Sequence, residues 1–254
     1  MNEGVRWWTV AAGHTHFAAI SSDGGLHIAV FQDGQCVPVT MGHPADDSLE
    51  WMAVSTGGAG TALLLSDGEL QFFGPAEDDL AQNQPTLSKG VGWLTVAVGA
   101  AYIAAISTER RLYVWGDTSF GQAEQPKLKT GGWLTVAAGL CHTAAVTSRG
   151  ALHVWGDDSF GQVSGQPKLA AGTQWLSVAA GDFHTAAVSS DGALHVWGNE
   201  RAAMTSEPAL GKGVKWLTKR AGLSHTAAVA SDGAIHVWAH AKVAATSKPP
   251  SLAE

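Results

Sequence analysis

The feature that most constrains this chain of 254 residues is a unit that occurs six times. Each unit starts at a tryptophan, and most copies continue with a stretch similar to Trp-Leu-Thr-Val-Ala-Ala-Gly. The spacings are 44, 42, 40, 42 and 41 residues between the heading tryptophans Trp7, Trp51, Trp93, Trp133, Trp175 and Trp216. The units are taken as residues 4–47, 48–89, 90–129, 130–171, 172–212 and 213–254. Because one such unit cannot bury a core alone, we expect the six to stack in a single domain, residues 1–254.

Each unit is predicted to form three short β-strands. Segments such as Trp133–Ala138 and Ala151–Trp155 mix β-branched, aromatic and small residues between glycine-containing breaks. In four copies the second break reads Ser-Asp-Gly, which is typical of a tight hairpin because glycine accepts positive φ. The copy with Thr108-Glu109-Arg110 lacks this glycine and is predicted to turn differently. A fourth strand per unit is left open, and residues 31–50 are expected to be an irregular loop.

Stacking such three-stranded units radially around an axis buries both faces of each one. The sequence therefore predicts an all-β fold, a β-propeller with six blades of three, or four, antiparallel strands. Ten of the eleven tryptophans fall in two repeat positions, where we expect them to pack between blades. The segments Pro250–Glu254 and Gly4–Trp7 together resemble one connecting segment, so ring closure is predicted to rest on packing of unit six against unit one.

Composition argues against several classes of function. The formal net charge is −7, which disfavours a general basic surface for nucleic acid, and no stretch supplies about 20 apolar residues for a membrane span. No secretory leader is visible and two cysteines cannot form a disulfide framework, so a cytoplasmic location is expected. No nucleophile elbow, phosphate loop or dinucleotide fingerprint occurs, and neither cofactor nor metal is expected.

The stretch Val136–Val146, followed by Leu152–Asp157 and by Phe160-Gly-Gln162, resembles the regulator of chromosome condensation repeat family. The resemblance covers essentially the whole chain and is clearest over residues 93–238. The Gly-x-x-His-Thr and Phe-Gly-Gln elements favour this family over WD40 repeats, which the period also allows. The short unit is similar to that of propeller-type β-lactamase inhibitory proteins, whose known members have seven blades where this chain has six units. The resemblance implies a propeller fold.

Histidines fill two further repeat positions. Nine residues after the heading tryptophan stand His16, His142, His184 and His225, and the third strands carry His27, His153, His195 and His236. A metal ring is conceivable for imidazoles at one level, but the repetition favours structural hydrogen bonds that tie turns. The cluster His14-Thr15-His16 is a separate candidate for ligand binding. Cys141 and His142 are strand neighbours that point to opposite faces, which argues against a catalytic dyad.

The loops that differ between copies are the candidates for function, since a repeated scaffold keeps its shared residues for packing. One set follows the repeat glycine and the other follows the third strand, so both are expected at the same end of the propeller. In the inhibitory proteins that this chain resembles, these two loop sets supply the aromatic and acidic contacts to the target. The candidate binding face comprises His14, His16, Glu77, Asp78, Asp79, Tyr102, Asp117, Phe120, Asp157, Asp158, Phe160, Asp182, Phe183, Glu200 and Arg201.

A structural explanation competes with binding at these positions. The aspartate after Trp-Gly can satisfy a turn, with the phenylalanine of Phe-Gly-Gln packed beneath it, and we favour this for Phe120 and Phe160. For Glu77–Asp79, Tyr102 and Asp182-Phe183, which break the repeat, both explanations stay open.

The resulting hypothesis is a non-enzymatic protein-binding scaffold of the regulator or inhibitor type, whose partner has a basic surface. A lectin with a sugar site in each blade is one alternative. An enzyme with a pocket at the channel mouth near His14 and His16 is another, although an enzyme is disfavoured. A nucleotide exchange factor for a small GTPase is the third.

Overall fold

The computed structural model describes residues 7–13, 16–32, 35–74, 77–199, 210–211, 213–221, 225–232 and 234–239. Within these residues the chain forms six separate antiparallel β-sheets, which we number as blades one to six. Blade one has four strands, and the other five have three. The strand order within each sheet follows the chain, so every blade is a simple meander. The predicted all-β architecture of six repeated blades is confirmed.

The strands run in chain order as follows. Blade one contains β1 Trp7–Ala12, β2 His16–Ser21, β3 Leu26–Gln32 and β4 Gln35–Gly42. Blade two contains β5 Trp51–Thr56, β6 Thr61–Leu65 and β7 Leu70–Phe73, followed by the helix α1 Glu77–Gln82. Blades three and four contain β8 Trp93–Val98, β9 Tyr102–Ser107, β10 Leu112–Gly116, β11 Trp133–Ala138, β12 His142–Thr147 and β13 Leu152–Gly156. Blades five and six contain β14 Trp175–Ala180, β15 His184–Ser189, β16 Leu194–Gly198, β17 Trp216–Ala221, β18 His225–Ala230 and β19 Ile235–Ala239.

Two local expectations are wrong. Residues 31–50 are not an irregular loop throughout, because residues 31–32 and 35–42 belong to the paired strands β3 and β4. The turn at Arg110 follows the same course as the glycine-containing turns, since Arg110 N donates to Ser107 O just as Gly150 N donates to Thr147 O. Arg110 takes a φ of 63°, the left-handed conformation that glycine supplies in the other copies.

A β-bulge at the same place in all six blades sets which side chains of the first strand face the preceding blade. In blade four Trp133 pairs with Thr147 and Thr135 pairs with Val146, so Leu134 stands outside the ladder. Without the extra residue, positions three apart would point to opposite faces of the strand. The bulge therefore brings Trp133 and Val136 onto one face.

The core consists of apolar clusters between consecutive blades. One cluster joins Ala104, Ile106 and Leu112 of blade three to Trp133 and Trp155 of blade four, and the other four joints repeat this arrangement. Each blade thus has a tryptophan-bearing face and an aliphatic face, which packs on the tryptophan-bearing face of the blade that follows. The heading tryptophans of blades two to six are only 3–5% exposed. The prediction that these tryptophans pack between blades is confirmed.

The histidines of the third strands pack against the heading tryptophans of their own blades. His153 lies edge-on to Trp133 with ring centroids 5.5 Å apart, and His27, His195 and His236 meet their own heading tryptophans in the same way. Tyr113 takes this place in blade three. The structural role expected for these histidines is confirmed.

Blade one differs from the other blades at its heading tryptophan. Trp7 is 54% exposed and Val10 is 58% exposed, although the residues at both positions are buried in blades two to five. The five apolar clusters join blades one to six in order, and none in the described part of the chain joins blade six to blade one. The predicted packing of unit six against unit one falls largely on residues outside the described ranges, and it stays a prediction.

The helix α1 is the only helix in the described ranges. Its six residues are far fewer than a membrane crossing needs.

Close approach of the blades near the axis requires glycine at the end of the first strand. A Cβ added at Gly139 would lie 2.6 Å from Cε1 of His142, and closer still to the carbonyl oxygen of Gly181 in blade five. A Cβ at Gly57 or at Gly99 would likewise meet a backbone carbonyl of the next blade. At Gly99 it would also meet the ring of Tyr102. Glycine is thus required at this repeat position because there is no room for a side chain, and not because of its backbone conformation.

We predict that Gly139→Ala lowers the free energy of unfolding by about 1–3 kcal/mol or more, because the new methyl group forces blades four and five apart. The control is Gly211→Ala, where a Cβ would meet only Cγ2 of Val214 at 3.6 Å. Thermal unfolding followed by circular dichroism measures both variants. Equal melting temperatures for the two would contradict the steric explanation.

Candidate functional site

The two variable loop sets meet at one end of the propeller, as predicted. Backbone hydrogen bonds join them within each blade: Asp117 N donates to Ala101 O, and Asp157 N donates to Cys141 O, both at 2.9 Å. We call this end, in blades three to five, the loop face. Its half-buried or exposed candidate side chains are Asp117, Phe120, Asp157, Asp158, Phe160 and Phe183.

The glutamine of each Phe-Gly-Gln element fixes the loop from below. Gln122 and Gln162 are buried, and the Oε1 atom of each accepts a 2.9 Å hydrogen bond from the backbone N–H of the phenylalanine two residues earlier. The carbonyl oxygen of Gln122 accepts from Nε1 of Trp155 and from Oγ1 of Thr143 in the next blade. Gln162 accepts from Trp197 in the same way. These glutamines lock the loops of blades three and four onto the neighbouring blades.

The phenylalanines of these elements point outward. Phe120 is 55% exposed and Phe160 is 46% exposed, so the favoured expectation that they pack beneath the turn is wrong. The space beneath the turn is already filled by Gln122 and Gln162. Phe160 stacks in a tilted geometry on Phe183 of blade five, with ring centroids 4.9 Å apart. The loop face therefore presents aromatic side chains on a fixed backbone.

The aspartates have the turn role that was expected, and they also carry charge on the loop face. Oδ1 of Asp117 accepts from the backbone N and Oγ of Ser119, and these bonds hold the pKa of Asp117 below its ordinary value. Partial burial opposes ionisation of Asp158, but hydrogen bonds from Ser164 and Val163 keep its pKa low as well. Both carboxylates are ionised at neutral pH.

Basic side chains lie elsewhere in the described structure. Outside β17, the described lysines and arginines are all in hairpin turns or in the segments that lead to the next heading tryptophan, at the opposite end from the loop face. These residues are Lys89, Arg110, Arg111, Lys127, Lys129, Arg149, Lys168 and Lys215. The loop face is acidic as a result.

Tyr102 and Asp182 do not contribute exposed side chains. Asp182 is buried, and Tyr102 is 0% exposed, with its hydroxyl donating at 2.6 Å to the carbonyl oxygen of His142 in the next blade. Burial raises the pKa of Tyr102, which keeps the phenol protonated as this bond requires. The assignment of Tyr102 to the binding face is corrected: its ring lies over Gly99 and ties blade three to blade four.

The histidines at the same position form equivalent ties between blades. Nε2 of His142 lies 3.0 Å from Oγ1 of Thr185 in blade five, and Nε2 of His16 lies 2.9 Å from Oγ1 of Thr61 in blade two. Since Thr185 gives its hydroxyl hydrogen to Gln162 O, the Nε2–H of His142 is the donor. The structural role predicted for these histidines is confirmed for His16 and His142.

The partner threonines were missed by sequence reasoning, although the repeats contain a signal. A ring nine residues after the heading tryptophan of one blade meets a threonine ten residues after the heading tryptophan of the next. Where blade two has Gly60 in place of the ring, blade three has Ile103 in place of the threonine. Comparing consecutive copies, instead of aligning each with the average, would have shown this pairing.

The remaining candidates are placed only in part. His14, Glu200 and Arg201 lie outside the described residues. Glu77, Asp78 and Asp79 form the first half of α1, which is anchored by buried Leu80, and their side chains are also outside the description.

Cys141 is half-buried beside the loop face. Burial, together with the carboxylates of Asp157, Asp117 and Asp182, raises the pKa of its thiol, so the unreactive protonated form is favoured. Its neighbour His142 is engaged with Thr185. In the described ranges, no group of three histidine, cysteine or acidic side chains is placed to hold a metal ion.

We predict that Tyr102→Phe lowers the free energy of unfolding by about 0.5–1.5 kcal/mol, because the carbonyl of His142 loses its hydrogen bond to the next blade and keeps only the one from Gly139 N within its own blade. Tyr113→Phe is the matched control, since Tyr113 is half-buried and is the only other tyrosine. Urea denaturation compares the two, and a larger loss for Tyr113→Phe would be inconsistent with the tie described above.

We also predict that stability falls as the pH drops from about 6.5 to about 4. Burial, and secondarily His184, lowers the pKa of His142 from 6.5 to about 4. The unfolded chain therefore binds this proton more readily, and the stability present above pH 6.5 is lost through that window, by about 3 kcal/mol in total. His142→Gln removes this part of the pH dependence in denaturant titrations, whereas His43→Gln, at an exposed site, retains it.

Comparison with known proteins adds a family signature to this geometry. The regulator of chromosome condensation (RCC1) repeat model matches residues 134–162 and 175–201. No curated protein sequence matches the chain.

Several solved structures share the fold. Human WBSCR16 is 16% identical, with a TM-score of 0.74 over 94% of this chain and 78% of that protein. Prp20p from Saccharomyces cerevisiae is 19% identical, with a TM-score of 0.71 over 92% of this chain and 72% of that protein. The ectodomain of the Arabidopsis thaliana receptor kinase ACR4 is 16% identical, with a TM-score of 0.62 over 93% of this chain and 80% of that protein. The repeat pattern and these neighbours identify the fold as a β-propeller, and the residues that the family model matches are regulator of chromosome condensation repeats.

Proposed function

We propose that this propeller is a non-enzymatic binding protein whose loop face takes up a basic surface of another protein. The observation that carries the proposal is the outward position of Phe120 and Phe160 beside Asp117, Asp157 and Asp158, on loops locked from below. Neither phenylalanine fills the space beneath its own turn, yet both are exposed at the same position of two consecutive blades. This repeated exposure favours a role in binding. Exposed apolar groups arranged in this way are typical of interaction sites.

The chemistry of the face suits such a partner. Aromatic side chains are the common anchors of protein interfaces, and carboxylates steer a basic partner toward the correct orientation. The hydrogen bonds of Gln122 and Gln162 hold the loops in place before binding, so little conformational entropy is lost on association. Affinity, orientation and preorganisation thus come from three different groups of residues.

The structural neighbours support protein binding in general. Yeast Prp20p is described with its binding properties to Gsp1p and histones. By contrast, the sugar-binding alternative gains no support, because the heading tryptophans of blades two to six are buried and cannot stack on a sugar. The pocket near His14 and His16 likewise gains none, since His16 is engaged with Thr61.

We predict that the double substitution Phe120→Ala and Phe160→Ala weakens partner binding at least about 30-fold, as loss of central aromatic anchors does. Both side chains are exposed, so the fold and its melting temperature stay unchanged within a few degrees. Affinity capture from the source cells, run in parallel with the unaltered chain and quantified by mass spectrometry, identifies the partner. Titration calorimetry then gives the dissociation constants.

The matched control is Leu134→Ala with Leu176→Ala, two exposed apolar residues at the opposite end of the propeller. This control binds like the unaltered chain. Asp157→Asn with Asp158→Asn slows association and weakens its salt dependence, because it removes the attraction for a basic surface. A partner that is retained by the phenylalanine variant, or whose binding is insensitive to salt, refutes the proposal.

A further inference from the structure

Two consecutive hairpin turns depart from the Ser-Asp-Gly pattern, and each departure introduces an arginine. The turn of blade three reads Thr108-Glu109-Arg110, and the turn of blade four reads Ser148-Arg149-Gly150. The other four turns read Ser-Asp-Gly. We call Arg110 and Arg149 the arginine pair. Both lie at the end of the propeller opposite the loop face, so they belong to a separate surface.

Neither arginine is explained by its own turn. Arg110 is the only described residue other than glycine with positive φ, a conformation that is unfavourable for a bulky side chain. Arg149 stands where the Ser-Asp-Gly turns have an aspartate. In blade two, Oδ1 of that aspartate, Asp67, accepts a 2.9 Å hydrogen bond from the backbone N of Glu69. An arginine side chain has no acceptor for such a bond, so both arginines are kept at a cost to the turn.

The two side chains meet over one pair of glycines in the segment that connects blades three and four. A Cβ built on Gly132 would lie 3.4 Å from Cγ of Arg110, and closer still to its Cβ. A Cβ built on Gly131 would lie 3.7 Å from Nε of Arg149. Side chains on these two glycines would therefore take the space that the arginines occupy.

Backbone hydrogen bonds fix this arrangement. Trp133 N donates to Arg110 O at 2.9 Å, and Ser148 N donates to Gly132 O at 2.8 Å. One short segment thus joins the two turns. The backbones that carry the arginine pair keep a fixed spacing before any ligand binds, which lowers the entropic cost of binding.

The arginine pair has no counter-charge among the described residues. The carboxylate of Glu109 lies beside Arg111, with 3.4 Å between Oε2 and Nε. Within the described ranges, neither member of the arginine pair forms an ion pair or a side-chain hydrogen bond, and both are exposed. Exposed Lys129 adds further positive charge just before the glycines. Because guanidinium groups stay protonated, two positive charges are left for an anion to neutralise.

The flanking turns limit the size of that anion. Exposed Asp67 in blade two and exposed Asp191 in blade five stand on either side, so the basic surface spans only two blades. An extended polyanion such as nucleic acid would meet these carboxylates, whereas a compact anion would not. A phosphate monoester carries nearly two negative charges at neutral pH, and its oxygens match the fork of a guanidinium group.

We propose that the arginine pair binds a single phosphoryl dianion, carried by a phosphorylated side chain or present as inorganic phosphate. The two guanidinium groups balance its charge, and the glycines leave room for both. The site lies at the opposite end from the loop face, so the inference is independent of the partner proposed for that face.

The test is NMR of the full chain labelled with ¹⁵N-arginine, because each Nε–Hε signal reports one guanidinium group. The probe is a capped peptide with phosphoserine between glycines, titrated at low salt. The expected result is that the Arg110 and Arg149 signals shift together and saturate. The signal of Arg111, already paired with Glu109, stays in place and serves as the internal control.

Three variants connect the shifts to the arginine pair. Arg110→Gly restores the glycine of the repeat and reproduces the contact between Gly68 and Gly92 at the preceding joint, so the fold is kept. The dissociation constant of the phosphopeptide then rises at least about 10-fold, as expected for loss of a charge-assisted hydrogen-bonding group. Arg149→Lys keeps the charge but loses the fork, and it also weakens binding. Arg111→Gln removes an equal charge next to the site and leaves the constant within about twofold, since an exposed charge outside the contact contributes little.

Other probes identify the source of the phosphoryl group. Shifts with the phosphopeptide but not with inorganic phosphate assign it to a phosphorylated side chain, and equal shifts with both assign it to free phosphate. Either result supports the site.

Four outcomes would overturn the proposal. The phosphopeptide could cause no shift at millimolar concentration, or it could shift all three arginine signals in parallel, as general charge screening does. The same peptide with glutamate in place of phosphoserine could bind equally well, which means that the site does not select a dianion. A single-stranded oligonucleotide could displace the phosphopeptide at lower concentration, which means that an extended polyanion is the ligand.

Discussion

The structure depends on the joint between consecutive blades. Each joint combines an apolar contact, in which a tryptophan-bearing face meets an aliphatic face, with polar ties near the axis. Glycine at the end of the first strand lets the backbones approach, and a ring from one blade reaches a threonine or a carbonyl of the next. Since the blades share no strands in the described ranges, these joints, together with the connecting segments and backbone hydrogen bonds at the hairpin end, hold the propeller together.

The same joints position the loop face. The carbonyl of Gln122 belongs to a loop of blade three, yet its donors, Trp155 and Thr143, belong to blade four. A side chain that packs the core thus also fixes the loop above it, and the loop then has no freedom to fold Phe120 inward. Stability and surface presentation are properties of one hydrogen-bonded arrangement.

The repeat pattern was sufficient to predict the fold, the three strands that every blade shares and the burial of the heading tryptophans in blades two to six, because periodicity and turn residues are local signals. It did not predict the fourth strand of blade one. It was insufficient for Tyr102, which looked like a departure from the repeat and proved to be a substitute for histidine in the same tie. Phe120 and Phe160 were misjudged for a similar reason, since exposure depends on the glutamine that occupies the space beneath them. The burial or exposure of these side chains depends on contacts between consecutive blades, and a single copy of the repeat contains only one side of each contact.

The unlike faces of each blade have a consequence for the assembly of the whole. A blade that offers tryptophan on one side and aliphatic residues on the other joins its neighbours head to tail, as monomers do in a polar filament. Such stacking has direction and no intrinsic limit, so a chain of any number of blades has two ends that fit each other. Half-buried Ala227 in blade six occupies the position of fully buried Ala186 in blade five, which marks the second of these ends. If the exposed faces of blades one and six are not covered within one molecule, blade six of one molecule can pack on blade one of another. The surfaces that join blades would then join molecules into chains.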